Sequence, residues 1–343
     1  MSNTVYENTV LETKLTELLN SYLDARALMT VDTSLAENAG LTKVINRYTY
    51  SGTVEALNAG ASNTQVGSLT FVPERYTVKR YQQTYRYNDM DVMQDPALID
   101  VAMEGMAKLM ANQIRTEYFG ELMRIRGRYA IAGNAVTYND IVEALGAVGR
   151  EVEDGLFLLM GVDGRTAIRK DDDFILAQQG QIVYSGQFGT ICGVPVIFSK
   201  LVPAGMTILT GKDAVKFFVK REAGLEQSRD IEKKDNTVVY ERHGLIALVD
   251  DSASVILGKA VPEMTASAAV AAGKITLTVT GTTEGNTVHY AFDRDAVLAC
   301  DNVADWKAWD GSSTIDQGTA TRISLAEADS TGKVVKSKVL TLA

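Results

Sequence analysis

The sequence predicts an α+β protein that ends in a separate all-β domain. Apolar residues recur every three to four positions in three segments before residue 154, which is typical of amphipathic helices. From Leu156 to about Gly258, short apolar strands mix with short helices without a regular βαβ repeat. After Pro262, strands that alternate apolar and polar residues predict a small immunoglobulin-like (Ig-like) β-sandwich.

The first part of the chain contains three predicted helices. One covers residues 8–30 and ends near Thr30–Asp32, where β-branched and short polar residues begin. A long helix of about 30 residues begins at Asp95–Pro96 and ends at Gly127, and a third covers 139–153 behind a Thr137/Asp140 capping box. We interpret the methionines of the long helix as core residues rather than as an adaptable binding surface; they are Met103, Met106, Met110 and Met123.

A tyrosine-rich segment between these helices predicts a long hairpin. The strand Arg47–Val54 is predicted to pair with Tyr76–Tyr87, and the residues between them form a soft tip rich in Gly, Ala, Asn, Ser and Thr. The segment carries six tyrosines and a net charge of +3 within an acidic chain. Tyrosine and arginine are enriched at protein interfaces, so we expect the hairpin to contact another copy of the chain. The alternative, two core strands of an ordinary sheet, stays open. The predicted contact residues are Arg47, Tyr48, Tyr50, Arg75, Tyr76, Lys79, Arg80, Tyr81 and Arg86.

The rest of the chain supplies short elements. A helix is predicted over Arg165–Lys170. The predicted strands are Phe157–Met160, Ile191–Phe198, Thr207–Leu209, Ala214–Val219, Val238–Tyr240, Leu245–Val249, Ile275–Thr280 and Val288–Phe292.

Composition excludes several classes of protein. With 46% hydrophobic and 22% charged residues, the 343-residue chain is not disordered as a whole. A net charge of −9 argues against a dedicated nucleic-acid binder. Two cysteines cannot build a disulfide framework, and neither a secretory signal nor an apolar run long enough for a membrane span is present, so folding in the cytosol is expected.

The side chains that could carry chemistry are few. Asp171–Asp173 could attract a divalent cation, but a solvated turn is the favoured interpretation. Three arginines near the end of the long helix could contact DNA phosphates; they are Arg124, Arg126 and Arg128. The favoured interpretation is that these cations offset the dipole of the helix at its C-terminus. His243 lies beside the predicted strand Leu245–Val249, and His289 lies within the predicted sandwich, so both are interpreted as strand residues rather than as ligands or bases. We therefore predict no catalytic, cofactor or metal site, and no enzyme.

Two segments carry a family resemblance. Tyr184–Lys200 contains the pattern G-x-x-x-G-V-P-V at Gly189–Val196, and Phe218–Lys234 follows it ahead of a final strand. With the order of the preceding elements, residues 1–261 resemble the major capsid protein of tailed bacteriophages, which has the HK97-type fold. The tail resembles the Ig-like domains that some phage structural proteins append.

The resemblance implies a domain plan, which begins with an N-terminal arm, an extended hairpin (the E-loop) and a peripheral (P) domain with a spine helix. An axial (A) domain, a return to the P domain and the Ig-like sandwich follow. The implied bounds of these six parts are 1–46, 47–90, 91–129, 130–225, 226–261 and 262–343.

The implied function is self-assembly, as hexamers and pentamers, into an icosahedral virion shell around double-stranded DNA. Because the arm begins almost at Met1, a separate scaffolding protein is expected; the other expected partners are a portal protein, DNA through weak contact and a host-surface glycan on the Ig-like domain. Assembly is expected to be noncovalent and to occur in the bacterial cytoplasm. Reversing Arg75, Lys79 and Arg80 to glutamate is expected to block assembly, whereas deleting residues 262–343 is expected to leave it largely intact. The alternatives are an encapsulin-like nanocompartment and a phage tail or surface protein with an adhesion module.

Overall fold

A computed structural model describes most of the chain. The described residues are 4–7, 9–23, 28–37, 39–58, 60, 62–131, 133–149, 154–177, 189–294, 297–299, 301–304, 306–318 and 320–342.

The helices and strands are numbered in chain order. The helices are α1 (Thr9–Leu23), α2 (Ser34–Glu37), α3 (Asp89–Gln94), α4 (Leu98–Leu122), α5 (Tyr138–Val148), α6 (Val162–Arg169) and α7 (Asp172–Ala177). The first ten strands are β1 (Thr4–Glu7), β2 (Thr30–Asp32), β3 (Thr42–Ser51), β4 (Ser68–Thr77), β5 (Lys79–Asn88), β6 (Gly127–Ile131), β7 (Leu156–Met160), β8 (Thr190–Ile191), β9 (Val194–Phe198) and β10 (Met206–Gly211). The remaining strands are β11 (Val215–Asp230), β12 (Asp235–Leu248), β13 (Val255–Lys259), β14 (Thr265–Ala271), β15 (Lys274–Thr280), β16 (Thr287–Phe292), β17 (Lys307–Trp309), β18 (Ile315–Asp316), β19 (Arg322–Ala328) and β20 (Val334–Thr341).

The chain divides into two compact units, each made from two separate stretches of sequence. Unit 1 contains residues 1–121 and 215–250, and unit 2 contains residues 122–214 and 251–343. The chain returns to unit 1 at Val215, which is the first residue of the continuous strand β11.

Unit 1 is built on a sheet in which β11 and β12 form a long antiparallel hairpin. The strand order is β1-β11-β12-β5, and β2 pairs with β11 in parallel. The sequence predicted three short strands here, but β11 and β12 are 16 and 14 residues long. Two register shifts between Val219 and Gly224 explain why the alternation is interrupted in the sequence.

Helix α4 is the long helix of unit 1, and it begins later than predicted. Asp95 and Pro96 lie between α3 and α4, where the Asp95 side chain accepts a hydrogen bond from the Ala97 amide at 3.0 Å. Of the methionines on α4, Met103, Met106 and Met110 are at most 4% exposed, so the core interpretation is confirmed for them. The predicted helix over 8–30 corresponds to α1 (Thr9–Leu23), and residues 24–27 lie outside the described part of the chain.

Unit 2 begins with a sheet in the order β6-β13-β10-β7-β9-β8. All of β7 is buried, as expected for an apolar strand in the middle of a sheet. The predicted capping box is present at α5, where Thr137 and Asp140 bond reciprocally. The strand predicted over Ile191–Phe198 is two strands, because Cys192 and Gly193 both have positive φ and form a tight turn between them.

The C-terminal part of unit 2 consists of two antiparallel sheets around a shared core. One sheet has the order β14-β15-β18 and the other β17-β16-β19-β20. Their buried core residues are Met264, Ile275, Leu277, Val288, Ile315, Ala320, Ile323, Leu325 and Leu342. Within the described part of the chain, no helix has the length and apolar character that a membrane span requires.

Candidate functional site

The arm hairpin, which we define as β3, β4 and residues 52–67 between them, is the most exposed β element of unit 1. Its strands pair antiparallel from Thr42 opposite Thr77 to Ser51 opposite Ser68. The predicted pairing of Arg47–Val54 with Tyr76–Tyr87 is therefore wrong. The tyrosine-rich run is split after Thr77, and its larger part is β5, which pairs with β12 in the body of unit 1.

One face of the arm hairpin is apolar and open to solvent. Directly opposed residues of an antiparallel pair project on the same side of the sheet. On this side Tyr48 lies opposite Phe71, with ring centroids 6.1 Å apart, and Tyr50 lies opposite Leu69. With Val44, these side chains are 52–71% exposed, and we call the five the outward apolar face. Contiguous exposed apolar patches of this kind are typical of contact surfaces.

The other face of the arm hairpin packs on its own chain. Ile45 and Tyr76 are buried in a cluster with Phe218 and Leu245 of the unit 1 sheet. Arg47 forms an ion pair with Glu74 at 3.4 Å. Arg47 and Tyr76, both predicted to contact another copy, are thus engaged within their own chain.

Two tyrosines and two helix carboxylates hold the base of the arm. The one hydroxyl proton of Tyr76 is shared between Glu74, 2.9 Å from Oη, and Glu121, 3.2 Å from Oη, and Tyr81 Oη donates to Glu117 at 2.8 Å. Burial, and then the nearby glutamate, raises the pKa of Tyr76 and of Tyr81 well above the ordinary value. The network joins β4 and β5 to α4 and so fixes where the arm leaves the body.

The raised pKa of Tyr81 predicts a loss of stability in alkali. A tyrosine whose pKa is raised by folding stabilises the protein fully below its unfolded-state pKa of about 10, and this stabilisation is lost as the pH rises through the folded-state value. We expect Tyr81→Phe to reduce the fall in unfolding free energy above pH 10, measured by urea titration at several pH values. Tyr85→Phe is the control. It also removes one tyrosine hydroxyl from β5, but the Tyr85 ring packs on Tyr87, with ring centroids 5.9 Å apart, and the substitution leaves the Tyr81–Glu117 hydrogen bond in place. Equal pH dependence in wild type and Tyr81→Phe would contradict this prediction.

Most of the predicted basic contact residues lie on the body and not on the arm. Lys79, Arg80 and Arg86 belong to β5, and only Arg75 among the exposed cations of the predicted set lies on the arm, opposite Val44. Lys79 Nζ lies 3.1 Å from Glu117, while Arg80 and Arg86 are exposed on one side of β5. Lys79, Arg80 and Arg86 therefore lie on a different element from the outward apolar face.

A groove runs beside β5, which is an edge strand of the described part of the unit 1 sheet. This edge groove has a volume of about 480 Å³ and is lined on one side by β5, including Lys79 and Arg80, and on the other by α4, including Leu109 and Gln113. Leu109 is 58% exposed. An open strand edge over an apolar floor is suited to receiving an extended segment of another chain.

The arm tip carries an acid among exposed apolar residues. Val54 and Val66 are 100% and 91% exposed, and Glu55 lies beside Val54. The Glu55 carboxylate accepts hydrogen bonds from the Thr64 amide at 3.0 Å and the Thr64 hydroxyl at 2.6 Å, and these bonds lower the pKa of Glu55. The tip is therefore anionic, in contrast to the cationic rim of the edge groove.

The other chemically interesting residues are engaged in structural roles. Asp171 accepts from the Tyr138 amide at 2.7 Å, and Asp173 accepts from the Asn139 side chain at 2.8 Å, so both acids bond to the first turn of α5. Among the residues that the structure describes, no group of three or more His, Cys, Asp or Glu side chains could hold a metal ion. His243 lies in β12 opposite Arg80, and His289 lies in β16.

The arginines after α4 are partners of acids. Arg126 binds Asp251 through Nε at 2.8 Å and Nη2 at 2.9 Å, and Arg128 binds Asp301. These two side chains are not available as a DNA-facing pair, and each carboxylate contact is more specific than the helix-dipole effect that the sequence suggested.

Comparison with known proteins connects this fold to one family. A family model described as "Phage capsid protein" matches residues 71–258, which is more than half of the chain. The major capsid protein of Staphylococcus phage phiMR11 is 23% identical over 236 residues, which are 67% of this chain and 84% of the relative.

Solved phage capsids share the fold. The asymmetric unit of the bacteriophage PhiM1 mature capsid superposes with a TM-score of 0.54 at 9% identity, covering 68% of this chain and 86% of that one. The capsid structure of cyanophage P-SCSP1u gives a TM-score of 0.54 at 12% identity with the same coverage of both chains.

Proposed function

The chain belongs to the phage capsid protein family and is a shell-forming protein of the virion, and we propose that its copies close into an icosahedral shell of the HK97 type around double-stranded DNA. The observation that carries the proposal is the outward apolar face on a projecting two-stranded arm. One face of the hairpin packs on its own chain through Ile45 and Tyr76, while the other exposes five large apolar side chains to water. Burial against a second copy would remove that surface from water.

The elements correspond to the parts of that fold as follows. The arm hairpin corresponds to the E-loop, α4 to the spine helix, and the β11–β12 sheet to the P domain. The sheet around β7 corresponds to the A domain. The two antiparallel sheets after Pro262 correspond to an Ig-like sandwich, supported by their shared core.

The contact between copies that we propose has two parts. In the first part, the outward side of the arm contacts the next copy through Tyr48, Tyr50 and Arg75. In the second part, the anionic tip approaches the basic residues of that copy's β5. The cations at Lys79, Arg80 and Arg86 therefore receive a neighbour's arm instead of projecting from one. Tyr81 supports this surface from beneath through its bond to Glu117.

Charge reversal tests the proposed contact between the anionic tip and the basic residues of β5. We expect Glu55→Lys or Arg80→Glu alone to lower the yield of shells, most strongly at low ionic strength, because exposed charge pairs are screened by salt. The two substitutions combined in one chain are expected to restore the yield. Thr64→Ala is the control for the tip, since it removes the Glu55 bond and keeps the charge. If the combined variant does not recover the yield of shells, the tip does not take part in this contact.

Further partners follow from the proposed assembly. These are a separate scaffolding protein, a portal protein and packaged DNA, assembled in the host cytoplasm. The net charge of −9 supports weak rather than tight contact with DNA phosphates.

Electron microscopy of the purified chain, alone and co-expressed with a scaffolding protein, tests the proposed function. Closed shells with icosahedral symmetry are expected. Nuclease-resistant DNA inside particles from infected cells distinguishes a capsid from an encapsulin-like compartment filled with protein. Chains that stay monomeric under every condition would overturn the proposal.

A further inference from the structure

Within unit 2, a fully buried ion pair joins Arg128 of β6 to Asp301, which lies between β16 and β17. Arg128 and Asp301 are separated by 173 positions in the sequence, yet the Arg128 Nε lies 3.0 Å from Asp301 Oδ1 and Nη2 lies 3.0 Å from the same atom. The side chains are 0% and 2% exposed. Removing one partner of such a pair leaves an uncompensated buried charge, which is strongly destabilising.

Arg128 also shapes the turn that follows α4. Its guanidinium donates to the backbone carbonyls of Met123 at 3.0 Å and Gly127 at 3.1 Å, and to that of Ile125. One side chain therefore satisfies three carbonyls of the turn between α4 and β6. The position of the guanidinium fixes the turn, and Asp301 fixes the guanidinium.

Asp301 itself lies in a turn that hydrogen bonds to Leu298 hold in place. Its Oδ2 accepts from the Leu298 amide at 3.0 Å, and its own amide donates to the Leu298 carbonyl at 3.0 Å. The same segment is bonded to the end of β13, because the Ala299 amide donates to the Lys259 carbonyl at 2.8 Å and Leu298 forms a β-bridge with Ala260. Side-chain and main-chain bonds thus attach Leu298, Ala299 and Asp301 to the first sheet of unit 2.

Apolar packing lies behind these bonds. Val297, Val303 and Trp306 are 4–7% exposed and share a cluster with Ala326 and Val334 of the C-terminal sheets. Val261, at the start of the connection, packs against the same cluster. The segment that presents Asp301 is therefore anchored on both of its sides, and the connection after β13 is not a free linker.

We propose that residues 262–343 are a fixed structural part of unit 2, in which Asp301 is a positioning residue that holds Arg128 in the turn after α4. The C-terminal domain then completes the body of the protein instead of hanging from it. Deleting it would remove Asp301, the carboxylate that holds the Arg128 guanidinium, so we expect truncation at 262 to prevent assembly, contrary to what the sequence suggested.

The test uses the full-length, unassembled chain, so its result does not depend on the proposed shell. In Asp301→Ala we expect hydrogen exchange at the Ile125 and Arg126 amides to accelerate roughly 100-fold or more, and a protease to release the C-terminal domain faster. Asp301→Asn, which keeps the shape and can still accept a hydrogen bond, is expected to give a smaller change at the same amides. Asp310→Asn, at an exposed turn of the same domain, is the control and is expected to change neither readout.

A double variant distinguishes the attachment of the C-terminal domain from the conformation of the turn between α4 and β6. In Arg128→Leu with Asp301→Leu, an apolar pair replaces the ions, so the C-terminal domain should resist the protease again while the turn amides stay fast. Unchanged exchange at Ile125 and Arg126 in Asp301→Ala would overturn the proposal. Acceleration confined to residues after 262 would also overturn it, because Asp301 would then serve only the folding of its own domain.

Discussion

A chain carrying Tyr48→Asp and Phe71→Asp is expected to stay folded and to form no shells. The two residues are 62% and 57% exposed and their rings lie opposite each other on the outward apolar face, so the charges remain in water in the free chain. In the proposed contact they would be buried without partners, and each unpaired buried charge costs several kcal/mol. Because every copy repeats the contact, the loss multiplies over the shell.

Sedimentation and electron microscopy under wild-type assembly conditions measure this effect. The matched control is Tyr48→Phe with Phe71→Tyr, which keeps two aromatic rings opposite each other and is expected to assemble. An unfolding free energy equal to that of wild type would exclude misfolding as the cause. Normal shells from the aspartate variant would show that the outward apolar face makes no essential contact.

Phe217→Ala is expected to give the opposite result, a loss of about 3–5 kcal/mol in unfolding free energy, as is usual for a fully buried phenylalanine. Phe217 is 0% exposed and lies in β11 with its ring 6.5 Å from that of Tyr81 and 4.9 Å from the Arg242 guanidinium. Gly244 of β12 lies over the same ring, where an added Cβ would approach it to 2.8 Å. The site is therefore packed too tightly to collapse around a deleted ring.

Urea denaturation of the unassembled chain measures this loss. Phe71→Ala is the control of the same residue type, and we expect its unfolding free energy to match that of wild type within about 0.5 kcal/mol, as for other exposed sites. A Phe217→Ala chain with wild-type stability would show that β11 does not anchor unit 1.

The local patterns of the sequence predict elements well and strand partners poorly. The Thr137/Asp140 capping box and the alternation over 275–280 depend on neighbouring residues, and both are present as predicted. The strand pairing predicted for the tyrosine-rich segment is wrong for a different reason. Alternation shows which side chains share a face but not which strand lies alongside, and a single residue, Val78, separates β4 from β5.

That error also displaced the candidate contact residues. Residues 55–73 were assigned to the soft tip, so Leu69 and Phe71 were overlooked although they alternate in step with Tyr48 and Tyr50. The basic residues after Tyr76 were assigned to the arm, while β12 places them on the body. The Arg128–Asp301 pair had no local signal at all, because its residues lie in different parts of the chain and only the fold brings them together.

The order of strands in unit 1 also has a consequence for synthesis. β5 pairs only with β12 in the described sheet, and Asn88 bonds to Asp235, 147 positions later. A ribosome adding about 5–20 residues per second leaves β5 without its partner for about 7–30 s. The edge groove therefore takes its final form only when most of the chain has been translated, so nascent chains on one messenger cannot engage each other through it early in synthesis.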